Sequence, residues 1–131
     1  MTLDSSAIFA LLNRKDPAHD RVKTALSKHQ PPYLVATAAF AEITYMVETR
    51  LGFHVLEAFL SDIEAGLFRL DFIDTDIPRA KQIARQYQNL PLGLADALVI
   101  ACAERNGGAV MSLDEHFWIV SGQGTIVVEN L

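Results

Sequence analysis

Four acidic residues offer the clearest chemistry in this sequence. Asp4, Glu42, Asp96 and Asp114 stand in or beside the apolar runs "MTLDSSAIFALL", "TAAFAEITYMV", "LGLADALVIACA" and "AVMSLDEHFWIV". The sequence therefore predicts that all four are buried. A carboxylate among apolar neighbours is costly unless it is paired, hydrogen-bonded or bound to a cation. Two carboxylates ~4 Å apart repel by about 4 kcal/mol at an effective dielectric near 20. Acids that converge from distant parts of the chain thus call for one shared counter-charge. Oxygen-only donors suit Mg²⁺ or Mn²⁺. No His pair or Cys pair has zinc spacing.

Each acid also has a plainer reading. Asp4 can cap a helix starting near Ser6, and Asp114 can cap one starting at Glu115. Asp96 can balance the positive end of its helix dipole, a contribution of roughly 0.3–1 kcal/mol. Its neighbours at three and four residues are Leu92, Gly93, Val99 and Ile100, which do not form a solvent face. Glu42 lies too deep for a capping box with Thr37. Its own neighbours are Ala38, Ala39, Tyr45 and Met46, with no Lys or Arg on that face.

The elements that must carry these acids follow from periodicity and turn residues. Short strands are expected at Met1–Leu3, Tyr33–Ala36, Phe68–Ile73, Ala109–Ser112 and Thr125–Val128. Helices are expected at Ser5–Asn13, from Asp16-Pro17 to about Lys28, from a Thr37 cap to Leu51, and over Val55–Ala65. Two more open at Thr75 or Asp76 and run over Gly93–Asn106. Gly52, Gly66 and Gly107-Gly108 are the stops. Strands alternating with helices or helix pairs mark an α/β fold with a mainly parallel sheet, its strands buried on both faces. Ligands bind such sheets outside the carboxyl ends of the strands. Asp4 and Asp114 follow strands, and Glu42 and Asp96 lie in the first turns of helices, so all four are expected on one rim.

The chain has 131 residues, half of them hydrophobic. That fits one domain over 1–131 with about two-thirds of its unfolded surface buried. The absence of a long apolar run or a secretory signal predicts a protein with no membrane association. The lone Cys102 excludes an internal disulfide and fits a reducing, cytoplasmic setting. A net charge of −5 argues against tight non-specific binding to nucleic acid, although not against an enzyme touching a few phosphates.

The order and setting of the acids resemble the PIN-domain ribonucleases, specifically the VapC toxins of bacterial and archaeal toxin–antitoxin pairs. The matching pieces are "LDSSAIFALLN", "TAAFAEITYMVETRLG", "LPLGLADALVIACAERNGGAVMSLDEHF" and a final strand "TIVV", spanning essentially the whole chain. The resemblance implies a three-layer fold, a five-stranded parallel sheet flanked by helices. It implies a metal-dependent endoribonuclease in which Asp4, Glu42, Asp96 and Asp114 bind one or two Mg²⁺ or Mn²⁺ ions, with the hydroxyls of Ser6 and Ser112 assisting. It further implies an RNA substrate, a cognate antitoxin and a homodimer. Ser5 stands where the family often has Thr, and His116 where many members carry a further acid.

Within that reading, Asp4 and Asp96 are expected to ligate directly, and Glu42 and Asp114 to ligate or to orient bound water. Arg14, Lys15, Arg50, Arg79 and Arg85 are candidate RNA contacts, each also readable as an ordinary solvated charge. His116 is within reach of the site by sequence, whereas His19, His29 and His54 have no evident partner. Cys102, Phe117 and Trp118 read as packing residues; the apolar first helix reads first as core, with an exposed part that could receive an antitoxin helix or a second copy of the chain. The competing functions are a non-catalytic PIN-like module that binds RNA or protein, and a receiver-like domain. The latter places paired acids after its first strand, where this chain has Ser5-Ser6.

Overall fold

The computed structural model describes residues 1–131. Its elements in chain order are β1 (Thr2–Leu3), α1 (Ser5–Leu12), α2 (His19–Leu26), β2 (Tyr33–Ala36), α3 (Thr37–Leu51) and α4 (Phe53–Glu64). There follow β3 (Phe68–Asp71), α5 (Asp76–Gln86), α6 (Leu94–Arg105), β4 (Ala109–Met111), α7 (Glu115–Ser121) and β5 (Val127–Val128). The five strands form one parallel sheet in the order β3-β2-β1-β4-β5. β1 is central, with Leu3 opposite Val35 on one side and Met111 on the other. The α/β three-layer fold expected from the sequence is the one observed.

Apolar side chains separate into two cores, one on each face. One joins α1–α4 to Leu3, Val35 and Met111; the other joins α5–α7 to Ala36, Val110 and Val128. Ile43 and Val47, one turn apart on α3, are fully buried. Each contributes roughly 1.5–3 kcal/mol by leaving water. α6 is buried over seven consecutive residues, Ala97–Ala103, because it is packed on more than one side.

Local chemistry moves several boundaries. Asp16 accepts the Ala18 amide at 2.8 Å and builds a turn, so α2 starts later than Pro17. Ala36, not Thr37, is the N-cap of α3, and no side chain caps it. α4 starts directly after Gly52, whose φ of +96° reverses the chain within one residue. β3 and β5 are shorter than expected. They are also the sheet edges, and parts of both face solvent, so burial on both faces holds only for the inner strands. Gly108 lies against β5; a Cβ there would stand 3.0 Å from the Thr125 carbonyl oxygen.

Candidate active site

From β1 the chain builds outward to β2 and β3, then returns to the other side of β1 as β4 and β5. The carboxyl ends of β1 and β4 therefore form the switch point at which open α/β sheets hold ligands. Asp4 leaves β1 there. Its amide donates to the Met111 carbonyl at 3.0 Å, and its carbonyl accepts the amides of Ala7 and Ile8 at 3.1 Å. The residue is pinned between sheet and helix. Although Asp4 occupies the N-cap position of α1, its side chain caps nothing. Instead its Oδ2 accepts the hydroxyls of Ser6 and Ser112, each at 2.8 Å. Those hydroxyls in turn accept backbone amides, Leu113 on Ser6 at 3.0 Å and Asp114 on Ser112 at 2.9 Å.

The other three acids come from three helices. Glu42 lies in the second turn of α3, not the first as expected, and its Oε1 accepts the Ser5 hydroxyl at 3.2 Å. Asp96 lies in the first turn of α6. Asp114 caps α7, its Oδ1 accepting the His116 amide at 2.9 Å. All four acids line one cleft of about 400 Å³, together with Ser5, Ser6, Met46 and the start of α6. Only Asp4, 3% exposed, is buried; Asp96 and Asp114 are half-buried and Glu42 is exposed. The expectation of four buried acids is corrected here: the cleft opens to solvent on the α3 side.

No Lys or Arg is ion-paired to any of the four. The cost shows at Asp96, whose carboxyl is pushed up to about 6. Burial is the largest cause, followed by repulsion from Asp4, Asp114 and Glu42, with His116 opposing. No three of the acids stand close enough to make a closed coordination cage. Their mutual repulsion favours that spacing. An all-oxygen donor set of excess negative charge fits a hard divalent cation, which would draw it together.

The remaining sequence candidates separate clearly. Arg79 is held by Glu104 at 2.7 and 2.8 Å and ties α5 to α6, so it is not a free cation. Arg14, Lys15 and Arg50 line a different groove of about 860 Å³, with Lys23, His19 and His54. The Arg50 guanidinium lies 5.8 Å from the centre of the Phe9 ring. Arg85 is exposed on α5. His19 and His29 do have partners, the Ala10 carbonyl at 2.9 Å and Glu129 at 3.4 Å. Cys102 is buried beside Asp71, and burial first, then that carboxylate, pushes its thiol up to about 11, consistent with a packing role. Phe117 is buried as expected, but Trp118 is 48% exposed. The sequence analysis missed the Ser5–Glu42 bond, whereas His116, expected within reach of the site, does lie with Nδ1 2.8 Å from Asp114 Oδ1. Side-chain hydroxyls beside the first acid were the available signal for that bond.

A PIN-domain family model matches residues 1–122. The chain belongs to the PIN-domain family. Among curated proteins, this PIN domain is 29% identical over 120 residues to Ribonuclease VapC26 of Mycobacterium tuberculosis (strain ATCC 25618 / H37Rv), covering 89% of each chain. Among solved structures, it superposes on Mycobacterium tuberculosis VapC20, described as a Sarcin-Ricin loop cleaving toxin. The TM-score is 0.80 at 16% identity, over 91% of this chain and 93% of that one. The latter likeness is one of fold. The family resemblance drawn from the sequence is thus the family found.

Proposed function

We propose that this PIN-domain protein is a divalent-cation-dependent endoribonuclease and the toxin of a toxin–antitoxin pair. The observation that carries the proposal is the convergence of Asp4, Glu42, Asp96 and Asp114 on one cleft without a basic residue to neutralise them. The names of its relatives, a ribonuclease and a Sarcin-Ricin loop cleaving toxin, support RNA as substrate. Asp4 and Asp96 would hold Mg²⁺ or Mn²⁺, with Glu42 and Asp114 completing the set or orienting its water. Such a cation lowers the pKa of bound water and stabilises charge on phosphorus. Ser6 and Ser112 fix the orientation of the Asp4 side chain by donating to its Oδ2. Asp96 must lose its proton before it can ligate, so cation binding there competes with protons near pH 6. α6 begins without a side-chain cap, which leaves its first amides free to face a phosphate.

The partners follow from two other surfaces. The groove rimmed by Arg14, Lys15, Lys23 and Arg50 has an apolar floor that includes Leu11, Leu12 and Phe59. That combination suits an acidic amphipathic segment of an antitoxin. Exposed Leu70, Phe72, Ile73 and Ile77 flank the open edge strand β3 and suit a homodimer contact. A cytoplasmic setting, expected from the lone Cys102, belongs to the same proposal; no helix is long and apolar enough to cross a membrane.

The test is incubation of the purified protein, free of antitoxin, with total RNA, with and without Mg²⁺ or Mn²⁺, beside Asp96→Asn. Discrete cleavage that needs the cation and vanishes in the variant is expected. An inert, folded wild type that binds no Mn²⁺ would leave a non-catalytic interaction module.

A further inference from the structure

Between Asp76 and Asp96 the chain carries no acid. The run Ile77–Ala95 holds Arg79, Lys81 and Arg85 and is rich in side-chain amides, in a protein of net charge −5. Its helical part is α5, whose outer face borders a groove of about 420 Å³ lined by Thr75, Pro78, Arg79, Lys81, Gln82 and Arg85. No acid lines that groove, whereas the two other grooves lined by cations each include one, Asp62 or Asp20. Lys81 and Arg85 are exposed, one helical turn apart, and in no ion pair. Like charges at that spacing weaken a helix, so the stability of the fold does not call for them. Gln82 is oriented by its neighbour. Arg79 Nη1 donates to Gln82 Oε1 at 3.0 Å, which leaves the amide nitrogen of Gln82 to donate outward.

We propose that this face of α5 is a docking strip for the sugar-phosphate backbone of an RNA strand, with Lys81 and Arg85 pairing with phosphates and Gln82 donating to one. This rests on the ribonuclease function proposed above. The strip leads to the cleft. Arg79, near the start of α5, is bonded to Glu104, near the end of α6, so the two helices run antiparallel and the end of α5 approaches the start of α6. The connection after α5 then reaches Gly93, Ala95 and Asp96 in the cleft wall. Arg85 therefore stands at the cleft end of the strip, with Lys81 one turn further out. A polyanion needs attraction from outside the cleft. Four carboxylates repel phosphate, and one or two divalent cations bring that charge at most to neutrality. The hold on the backbone must come from Lys and Arg nearby. The groove bordered by Arg14, Lys15 and Arg50 has an apolar floor, which suits a protein segment instead.

The experiment is fluorescence anisotropy with a labelled single-stranded RNA of mixed sequence, in EDTA so that the strand stays intact, over a series of KCl concentrations. The proteins are wild type, Lys81→Ala/Arg85→Ala, the charge-keeping Lys81→Arg/Arg85→Lys, and Lys15→Ala/Lys23→Ala, which removes equal charge from the other groove. Alanine suits exposed helix positions, so all are expected to keep the wild-type Tm within a few degrees. The α5 alanine pair is expected to bind roughly 10-fold or more weakly in low salt. Its slope of log K against log salt should be shallower by about 1.4, the loss of two phosphate contacts on a single strand. The charge-keeping pair and the Lys15/Lys23 pair should stay within a few-fold of wild type. Equal loss in the two alanine pairs makes the effect one of net charge and overturns the proposal. So does an α5 pair that holds RNA as wild type does but loses polyglutamate, which would mark a surface for an acidic protein. Cleavage with Mn²⁺ separates this proposal from the function beneath it. The α5 pair is expected to raise KM with kcat unchanged; a wild type that cleaves with the same KM as the α5 pair leaves a nuclease without this strip. Binding that depends on α5, with no cleavage by any of the proteins, leaves the strip standing and removes the nuclease.

Discussion

The Ser112 hydroxyl donates to Asp4 Oδ2 at 2.8 Å, joining residues 108 positions apart across the junction of β1 and β4. It also accepts the Asp114 amide, so one buried oxygen holds two of the four acids in register. Ser112→Ala removes both bonds and leaves a backbone amide without its partner. The expected cost is about 1–3 kcal/mol in urea denaturation, with RNA cleavage reduced ~10–100-fold. Ser112→Thr keeps the hydroxyl and is expected to retain most of both. Equal stability in Ser112→Ala would show that water replaces the hydroxyl freely.

Asp96 sets a pH dependence whose sign is fixed by its raised carboxyl. The unfolded chain releases this proton near pH 3.9, but the folded protein holds it to about 6. Between those values the folded state binds more protons, so cation-free stability falls as pH rises through that window. Asp96→Asn carries no such charge. At pH 7 without cation, the variant is expected to melt a few degrees above wild type, and the gap closes below pH 4. Added Mn²⁺ reverses the order by stabilising only the wild type. Melting curves at pH 4, 5, 6 and 7, with and without Mn²⁺, decide it.

Glu42 separates function from stability. It is exposed, and its one hydrogen bond, from Ser5, is also exposed. Glu42→Gln is therefore expected to change unfolding free energy by no more than about 0.5 kcal/mol. Cleavage of RNA should nevertheless fall ~100-fold or more, since misplacement at a reacting centre carries that cost. A variant that loses stability and activity in proportion would mark Glu42 as structural.

These acids show what the sequence could reveal. Asp4 was legible because its neighbours belong to a buried strand and helix, and its burial followed. Glu42 was misjudged because its apolar neighbours split around the helix: Ala39 and Ile43 face the core, whereas Tyr45 is 72% exposed. Asp114 meets the plain expectation by capping α7 with one oxygen, and it also lines the cleft. Strand order was not legible, because parallel pairing across crossovers leaves no local mark in the chain. The same holds for partners distant in sequence, such as His29 with Glu129.

The Asp76–Arg105 pair supplies the contrast that tests the pH argument. Arg105 reaches Asp76 with two bonds of 2.8 Å and also touches Asp71, locking the start of α5 and the end of β3 to the end of α6. Hydrogen bonding from Arg105, working against burial, holds the Asp76 carboxyl below its usual range. Its contribution is thus complete above about pH 4, the unfolded value, and is lost as pH falls through the lower folded one. Asp76→Ala is expected to cost about 2–3 kcal/mol at pH 7, less than for a fully buried pair because Arg105 keeps some contact with water. The deficit should persist unchanged to pH 5 and shrink under strong acid, opposite to the slope from Asp96. Cleavage per folded molecule should be unaffected, since the pair lies at the far end of α6 from the acidic cleft. Urea denaturation at pH 7, 5 and 3 measures it; a deficit that grows on acidification would refute the assignment of Asp76 as the ionised partner.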